Sequence, residues 1–236
     1  SNSAHLYKLD GETAKELPII TYEANTGVSQ NSPSLTAFFK TAVVANRRTY
    51  IGNVRMKDET VKYRVFADRI IKSPVNKFDI FPIENSVDAV VNDGESITAL
   101  INFGDRLLQF KERSLYILNI SGKYEVLESS HVFRGAESQN AVCKTEFGIA
   151  WINKYGVFFY DGNNIRNLLE KKGLRVISDT TWDGFFTSEN TAGTAGSLIA
   201  YVPTKRQLIV VSSYGATSSS GNAYIYDFVT QSWVFA

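Results

Sequence analysis

The residues able to do chemistry are few and scattered. Two histidines, His5 and His131, and one cysteine, Cys143, are the groups best suited to nucleophilic or metal chemistry near neutral pH. Imidazole ligates zinc and moves protons, and a thiolate attacks carbonyls, but each needs partners at set spacing. Neither HExxH nor CxxC occurs, and no second His or Cys stands at ligand spacing. Cys143 with His131 is the one conceivable nucleophile–base pair, and only nearness in number speaks for it. Carboxylates are plentiful, and Asp161-Gly162 in GVFFYDGNNIRNLL (156–169) has the look of an acidic loop. Such a loop could hold a cation or act as a general acid. Against this, the calcium pattern D-x-[DN]-x-[DN]-G is absent, and VNDGES (91–96) reads only as a turn. The phosphate loops GxxxxGK[ST] and GxGxxG and the GxSxG elbow are absent too.

Asp161 is not alone in its frame. HLYKLDGETAKEL (5–17), SLYILNISGKYEV (114–126), GVFFYDGNNIRNL (156–168) and AYIYDFVTQSWVF (223–235) each place Asp or Asn after an apolar, aromatic-bearing run. The recurring positions are Asp10, Asn119, Asp161 and Asp227, and an apolar residue returns at Leu17, Val126, Leu168 and Trp233. An Asx side chain accepts a hydrogen bond from backbone two residues on, so it opens a tight turn. Gly11 and Gly162 supply the positive φ such turns often need. The repeat therefore assigns these residues to turns between a third and a fourth strand. No catalytic residue, cofactor-binding residue or metal ligand is assigned, no cofactor is implied, and the reading points away from an enzyme.

The elements around these turns read as strands. Short apolar or alternating runs lie between turn residues throughout. TAVVANRRTYIGNV (41–54) gives strand, Asn-Arg turn, strand, and KYRVFADRI (62–70) and KFDIF (77–81) give two more. Residues 97–129 form a four-strand meander with turns at Gly104-Asp105, Lys111-Glu112-Arg113 and Ser121-Gly122-Lys123. Residues 141–169 and 197–235 repeat the design, the latter with an exposed Gly/Ser/Thr loop at 215–222. Units of about 40–50 residues with four short strands are propeller blades. The fold class expected is all-β, a β-propeller of four-stranded antiparallel blades over residues 1–236. The blades fall at about 37–85, 97–130, 140–170 and 196–236, with strands of a further blade at 5–20. Segment 21–36 reads as a long loop. Segment 171–195 reads as an insertion between blades, with Ser178 or Asp179 capping a short helix that carries Trp182, Phe185 and Phe186. Because the chain starts at a third strand, the expectation is a partial ring completed by flanking sequence or another subunit.

Composition fits. Apolar residues make up 44% and aromatics 13% of 236 residues, enough for a real core. Twelve Tyr and fifteen Phe against one Met favour strands. Tyr116, Phe158, Tyr160, Tyr224 and Tyr226 on third strands are read as packing between blades, and Trp151, Trp182 and Trp233 as core or edge anchors. A formal net charge of +1 draws the chain as a whole to neither nucleic acid nor anionic lipid. Arg47-Arg48, Lys171-Lys172 and Lys205-Arg206 read as solvated turns or strand ends. A single cysteine forbids an internal disulfide, and Cys143 reads as a small buried thiol. No run of 18 apolar residues occurs, so no membrane partner is expected.

Three stretches carry a resemblance: ALINFGDRLLQFKERSLYILNISG (99–122), FRGAESQNAV (133–142) and GIAWINKYGVFFYDGNNIRNL (148–168). With the junction residues Gly135 and Ser138, and Ile177-Ser178 before Trp182, this text resembles the β-propeller virion proteins of tailed bacteriophages. Those are tail nozzle or hub proteins and packaged-DNA stabilisation proteins. The resemblance runs over about residues 40–235 and implies a non-enzymatic structural component of a viral tail or neck. It further implies a ring homo-oligomer contacting other virion proteins, assembled in the host cytoplasm, with a conduit for genome retention and DNA ejection. Non-specific contact with passing DNA is the only nucleic-acid contact it implies. The alternative carried alongside is a glycan- or ligand-binding propeller that recognises a host surface, with loop 215–222 as its binding element.

Overall fold

In a computed structural model the chain is all-β apart from one α-helix and a short 3-10 turn among the described residues. It describes residues 7–10, 13–16, 20–22, 38–57, 63–78, 80–82, 85–90, 93–187, 196–214 and 223–236. Strands β1 (Tyr7–Asp10) and β2 (Thr13–Glu16) form an antiparallel hairpin, and β3 (Ile20–Tyr22) follows. Then come β4 (Phe38–Ala45), β5 (Arg48–Lys57), β6 (Tyr63–Lys72), β7 (Ile80–Pro82) and β8 (Ser86–Val87). The next meander is β9 (Ile97–Phe103), β10 (Arg106–Lys111), β11 (Ser114–Asn119) and β12 (Val126–Val132). It is followed by β13 (Val142–Lys144), β14 (Ile149–Asn153), β15 (Gly156–Tyr160) and β16 (Ile165–Asn167). A small hairpin, β17 (Glu170–Lys171) and β18 (Leu174–Arg175), leads into α1 (Asp179–Thr187). The last meander is β19 (Gly196–Val202), β20 (Gln207–Tyr214), β21 (Ala223–Asp227) and β22 (Ser232–Phe235).

Among the described residues there are four four-stranded sheets, with orders β4-β5-β6-β8, β9 to β12, β13 to β16 and β19 to β22. Each is a meander in chain order save the first, where β7 is skipped. The chain divides into two compact units, residues 1–112 with 116–130, and residues 113–115 with 131–236. The sequence reading expects a single region, so this division is an addition to it.

Local chemistry explains the turns. Asn46 and Arg47 both have positive φ, 47° and 59°, as a two-residue hairpin that matches strand twist requires. Gly148 sits at φ 156°, where an added Cβ would lie 2.0 Å from the Tyr160 carbonyl oxygen. Only glycine fits that approach of two strands. Cross-strand packing supplies the cores. In the first unit Tyr50, Ile70, Ile97, Leu100, Leu107, Tyr116 and Leu118 share one buried cluster. In the second, Trp151, Phe158, Phe159 and Trp182 are all but inaccessible.

Several expectations change. KFDIF is not the fourth strand of its sheet, whose edge is Ser86–Val87 and which therefore runs from 38 to 87. Residues 80–82 instead pair in parallel with 20–22, and Phe81 is buried with Phe39, Ile51, Val54 and Ile71. A short apolar run marks a strand but not its partner. The 21–36 loop gives up Thr21 and Tyr22 to β3, and residues 23–36 lie outside the described residues. The sheet expected at 140–170 ends at Asn167, because Glu170 and Lys171 belong to the hairpin before the helix. The 171–195 insertion is that hairpin plus the helix, and 188–195 lie outside the described residues. Val126 is 59% exposed, because it opens an edge strand. Ser178 does cap the helix: its Oγ accepts the Thr181 amide at 3.1 Å, and Trp182, Phe185 and Phe186 are buried.

Candidate functional site

In an antiparallel meander the first and third turns lie at the same end of the sheet. That end carries the Asx residues. Asp161 Oδ1 accepts the amides of Asn163 (2.9 Å) and Asn164 (2.8 Å). Asp227 Oδ1 accepts those of Val229 (2.8 Å) and Thr230 (3.0 Å). Asn119 Oδ1 accepts the Ser121 amide at 2.9 Å, and its Nδ2 donates to Glu128. These backbone bonds hold the Asp161 and Asp227 carboxyls below the usual carboxylate range, the amides of Asn164 and Thr230 contributing most. Gly162 has φ 103°, as expected. Asp10, Gly11, Leu17, His5 and loop 215–222 carry the remaining expectations, and none has described side-chain geometry.

Two further clusters escape sequence reading. In the first unit Lys111, its side chain fully buried, donates to Asp93 Oδ2 at 2.7 Å and to the Val90 carbonyl at 3.1 Å. The Tyr116 hydroxyl donates to the same Asp93 oxygen at 3.1 Å. Burial pushes the Asp93 carboxyl up. Hydrogen bonds from Lys111, the Glu95 amide and Tyr116, with the Lys111 charge, outweigh it and leave the group below its ordinary value. The second cluster repeats the residue types. Lys72 Nζ and Glu125 Oε2 lie 2.5 Å apart, and the Tyr50 hydroxyl donates to Glu125 Oε1 at 3.1 Å. Burial, then the Glu125 charge, pushes the Tyr50 phenol up. A tyrosine beside a lysine would serve as a base only if its pKa fell. Here it rises, and the Tyr50 hydroxyl donates to Glu125, tying β5 to the segment before β12.

The second unit has its own ties. Asn153, buried, donates to the carbonyls of Gly135 (2.8 Å) and Phe133 (3.3 Å), and its Oδ1 accepts the Tyr155 amide at 2.8 Å. Its carbonyl accepts Trp182 Nε1 at 3.1 Å, so the helix is pinned to β14. Trp233, half-buried, donates Nε1 to the Leu168 carbonyl at 2.9 Å, an edge anchor joining two sheets. At the turn end Tyr201 donates to Glu146 Oε1 at 2.8 Å, and Arg206 pairs with the same oxygen at 3.3 Å. Phe147, 41% exposed, stacks 5.3 Å from Phe228, which also meets Phe159, Tyr201 and Tyr226.

Burial pushes the Cys143 thiol up to about 12, so almost no thiolate exists at neutral pH. Burial, then the Arg134 charge, lowers His131. Tyr116, Phe158, Tyr160, Tyr224 and Tyr226 are all buried, as packing requires. Arg47 lies in a turn, Arg48 and Lys171 at strand ends, Lys172 in a turn and Lys205-Arg206 in another. Among the described residues no group of three or more His, Cys, Asp or Glu could hold a metal. None of their helices is long and apolar enough to cross a membrane.

No protein-family model matches the chain, and no curated protein matches it. Among solved structures it is similar to the N-terminal domain of Nup159, at 12% identity and a TM-score of 0.40. The match covers 82% of this chain and 46% of that one, so the chain spans less than half of that neighbour's length.

Proposed function

We propose that the chain is a non-enzymatic assembly module built as a β-propeller. Its four sheets are the blades, and the role is the one the phage resemblance implies, a component of a tail or neck ring. The observation that carries the non-enzymatic reading is the use made of buried charge. Lys72 and Lys111 are each held by a loop carboxylate that also accepts a tyrosine hydroxyl, in bonds that tie strands to the connecting segments. Successive antiparallel meanders support the blades, since each buries a face it cannot bury alone. The residues that carry the resemblance have matching structural uses. The Gly135 carbonyl receives Asn153, the Ser138 carbonyl accepts the Ala141 amide, and Ser178 caps the helix. In a virion ring the turn-end patch around Phe147 and Phe228 would face a neighbouring subunit or another tail protein.

Electron microscopy and immunogold labelling test this reading. Rings of the purified protein, with gold at the tail or neck of phage particles, are expected. Particles that carry none of the protein would refute the virion role. Turnover abolished by one carboxylate change would refute the non-enzymatic one.

A further inference from the structure

Gln109, on β10, is fully buried, and neither its amide nitrogen nor its amide oxygen has a hydrogen-bond partner in the protein. It lies opposite Leu100 in the β9–β10 ladder, and two residues from Leu107 on the same strand. Residues opposite each other, or two apart on one strand, share a face. Leu100 and Leu107 both belong to the buried cluster that includes Ala45, Tyr50 and Ile70 of the β4–β8 sheet. The amide therefore lies on the face that packs against that sheet. A glutamine can make four hydrogen bonds, and a buried amide that makes none is strongly unfavourable.

We propose that Gln109 marks an internal hydration site, where one or more long-lived waters bind its amide and the Lys111 ammonium. Lys111 stands two residues on, past a register shift between Phe110 and Lys111, and its ammonium lies over the ring of Tyr116, a member of the same cluster. One water making two hydrogen bonds spans about 5.6 Å and can bridge two polar side chains of one cluster. An ammonium has three donors. Val90 and Asp93 take two of them, and the third remains for the water. The water accepts from Lys111 and donates to the Gln109 oxygen, and a second one accepts from the Gln109 nitrogen. Such waters sit where buried polar groups converge. The site lies inside the first unit and does not depend on the phage reading.

The test is a crystal structure at 1.8 Å or better, with oxygen-17 relaxation dispersion on the wild type and on Gln109→Leu. The expectation is ordered density within about 3.2 Å of the Gln109 amide and the loss of at least one long-lived water in the variant. A dry site with Gln109 bonded to protein atoms, or an unchanged count of long-lived waters in a folded Gln109→Leu, would overturn the proposal. Should Gln109→Leu fail to fold, the wild-type density alone decides.

Discussion

Removing Asp93 and removing Lys111 should not cost the same, although they are partners in one ion pair. The Lys111 side chain is fully buried, whereas Asp93 keeps 21% of its side chain exposed. In Asp93→Ala the ammonium is left with the Val90 carbonyl and the face of the Tyr116 ring, whose centroid is 5.4 Å away. Breaking a buried pair in this way costs about 3–5 kcal/mol. The partial exposure of Asp93 puts the loss near the low end, roughly 3 kcal/mol. In Lys111→Met the buried charge disappears. Asp93 reaches water and keeps the Glu95 amide and the Tyr116 hydroxyl, so the loss is about 1 kcal/mol. Asp93→Ala with Lys111→Met removes both charges and should cost about 1–2 kcal/mol, less than the sum of the single losses, so the effects are non-additive. For a chain of this size 3 kcal/mol is roughly 6–12 °C in Tm. All three tryptophans lie in the second unit, so the urea transition of the first must be followed by far-UV circular dichroism. Asp93 is held below its ordinary pKa. Its contribution is present above the unfolded value and is lost as pH falls through the folded one. The gap between wild type and Asp93→Ala should therefore close below about pH 4. Equal losses for the two single variants, or simple additivity, would refute the reasoning.

Other expectations follow from single contacts. Asp161→Ala removes an acceptor of two backbone amides and should cost about 1 kcal/mol by tryptophan-monitored urea unfolding, while Asp161→Asn keeps most of it. Gly148→Ala drives a methyl group into the Tyr160 carbonyl and should cost about 3 kcal/mol or more, read as a Tm loss near 10 °C or as insoluble expression. Cys143 should resist iodoacetamide at pH 8 in the native protein and react once unfolded in urea, and fast native labelling would contradict its burial.

The parts legible in the sequence are those whose cause is local. An Asx turn is written within three residues, so Asn119, Asp161 and Asp227 could be placed before any coordinates. The helix cap at Ser178 is legible for the same reason. Ties between distant elements are not. Lys111 and Asp93 stand 18 residues apart, and Lys72 and Glu125 stand 53 apart. Lys111 also falls in LLQFKERS, where a lysine before Glu and Arg looks like part of a solvated turn. The parallel pairing of residues 20–22 with 80–82 has no periodic signature, since three-residue strands are too short to show one. VNDGES was read as a turn, and Asp93 does accept the Glu95 amide in one, but its other oxygen serves the core.

The shifted groups of the described residues move almost wholly away from neutrality. Catalysis near neutral pH needs groups whose pKa values are moved toward 7, since a general acid or base must exchange protons at the working pH. Among the described residues the shifts run almost wholly the other way. The carboxyls of Asp93, Asp161 and Asp227 are lowered. The hydroxyls of Tyr50, Tyr201 and Tyr226 and the thiol of Cys143 are raised. His131 is lowered, which keeps it neutral at pH 7. Arg134 alone moves toward neutrality, from a starting value so high that it stays charged. Each of these groups is therefore fixed in one charge state near pH 7. A fixed charge state suits hydrogen bonds that must not open, such as those of Lys111 and Lys72 and of the Asx turns.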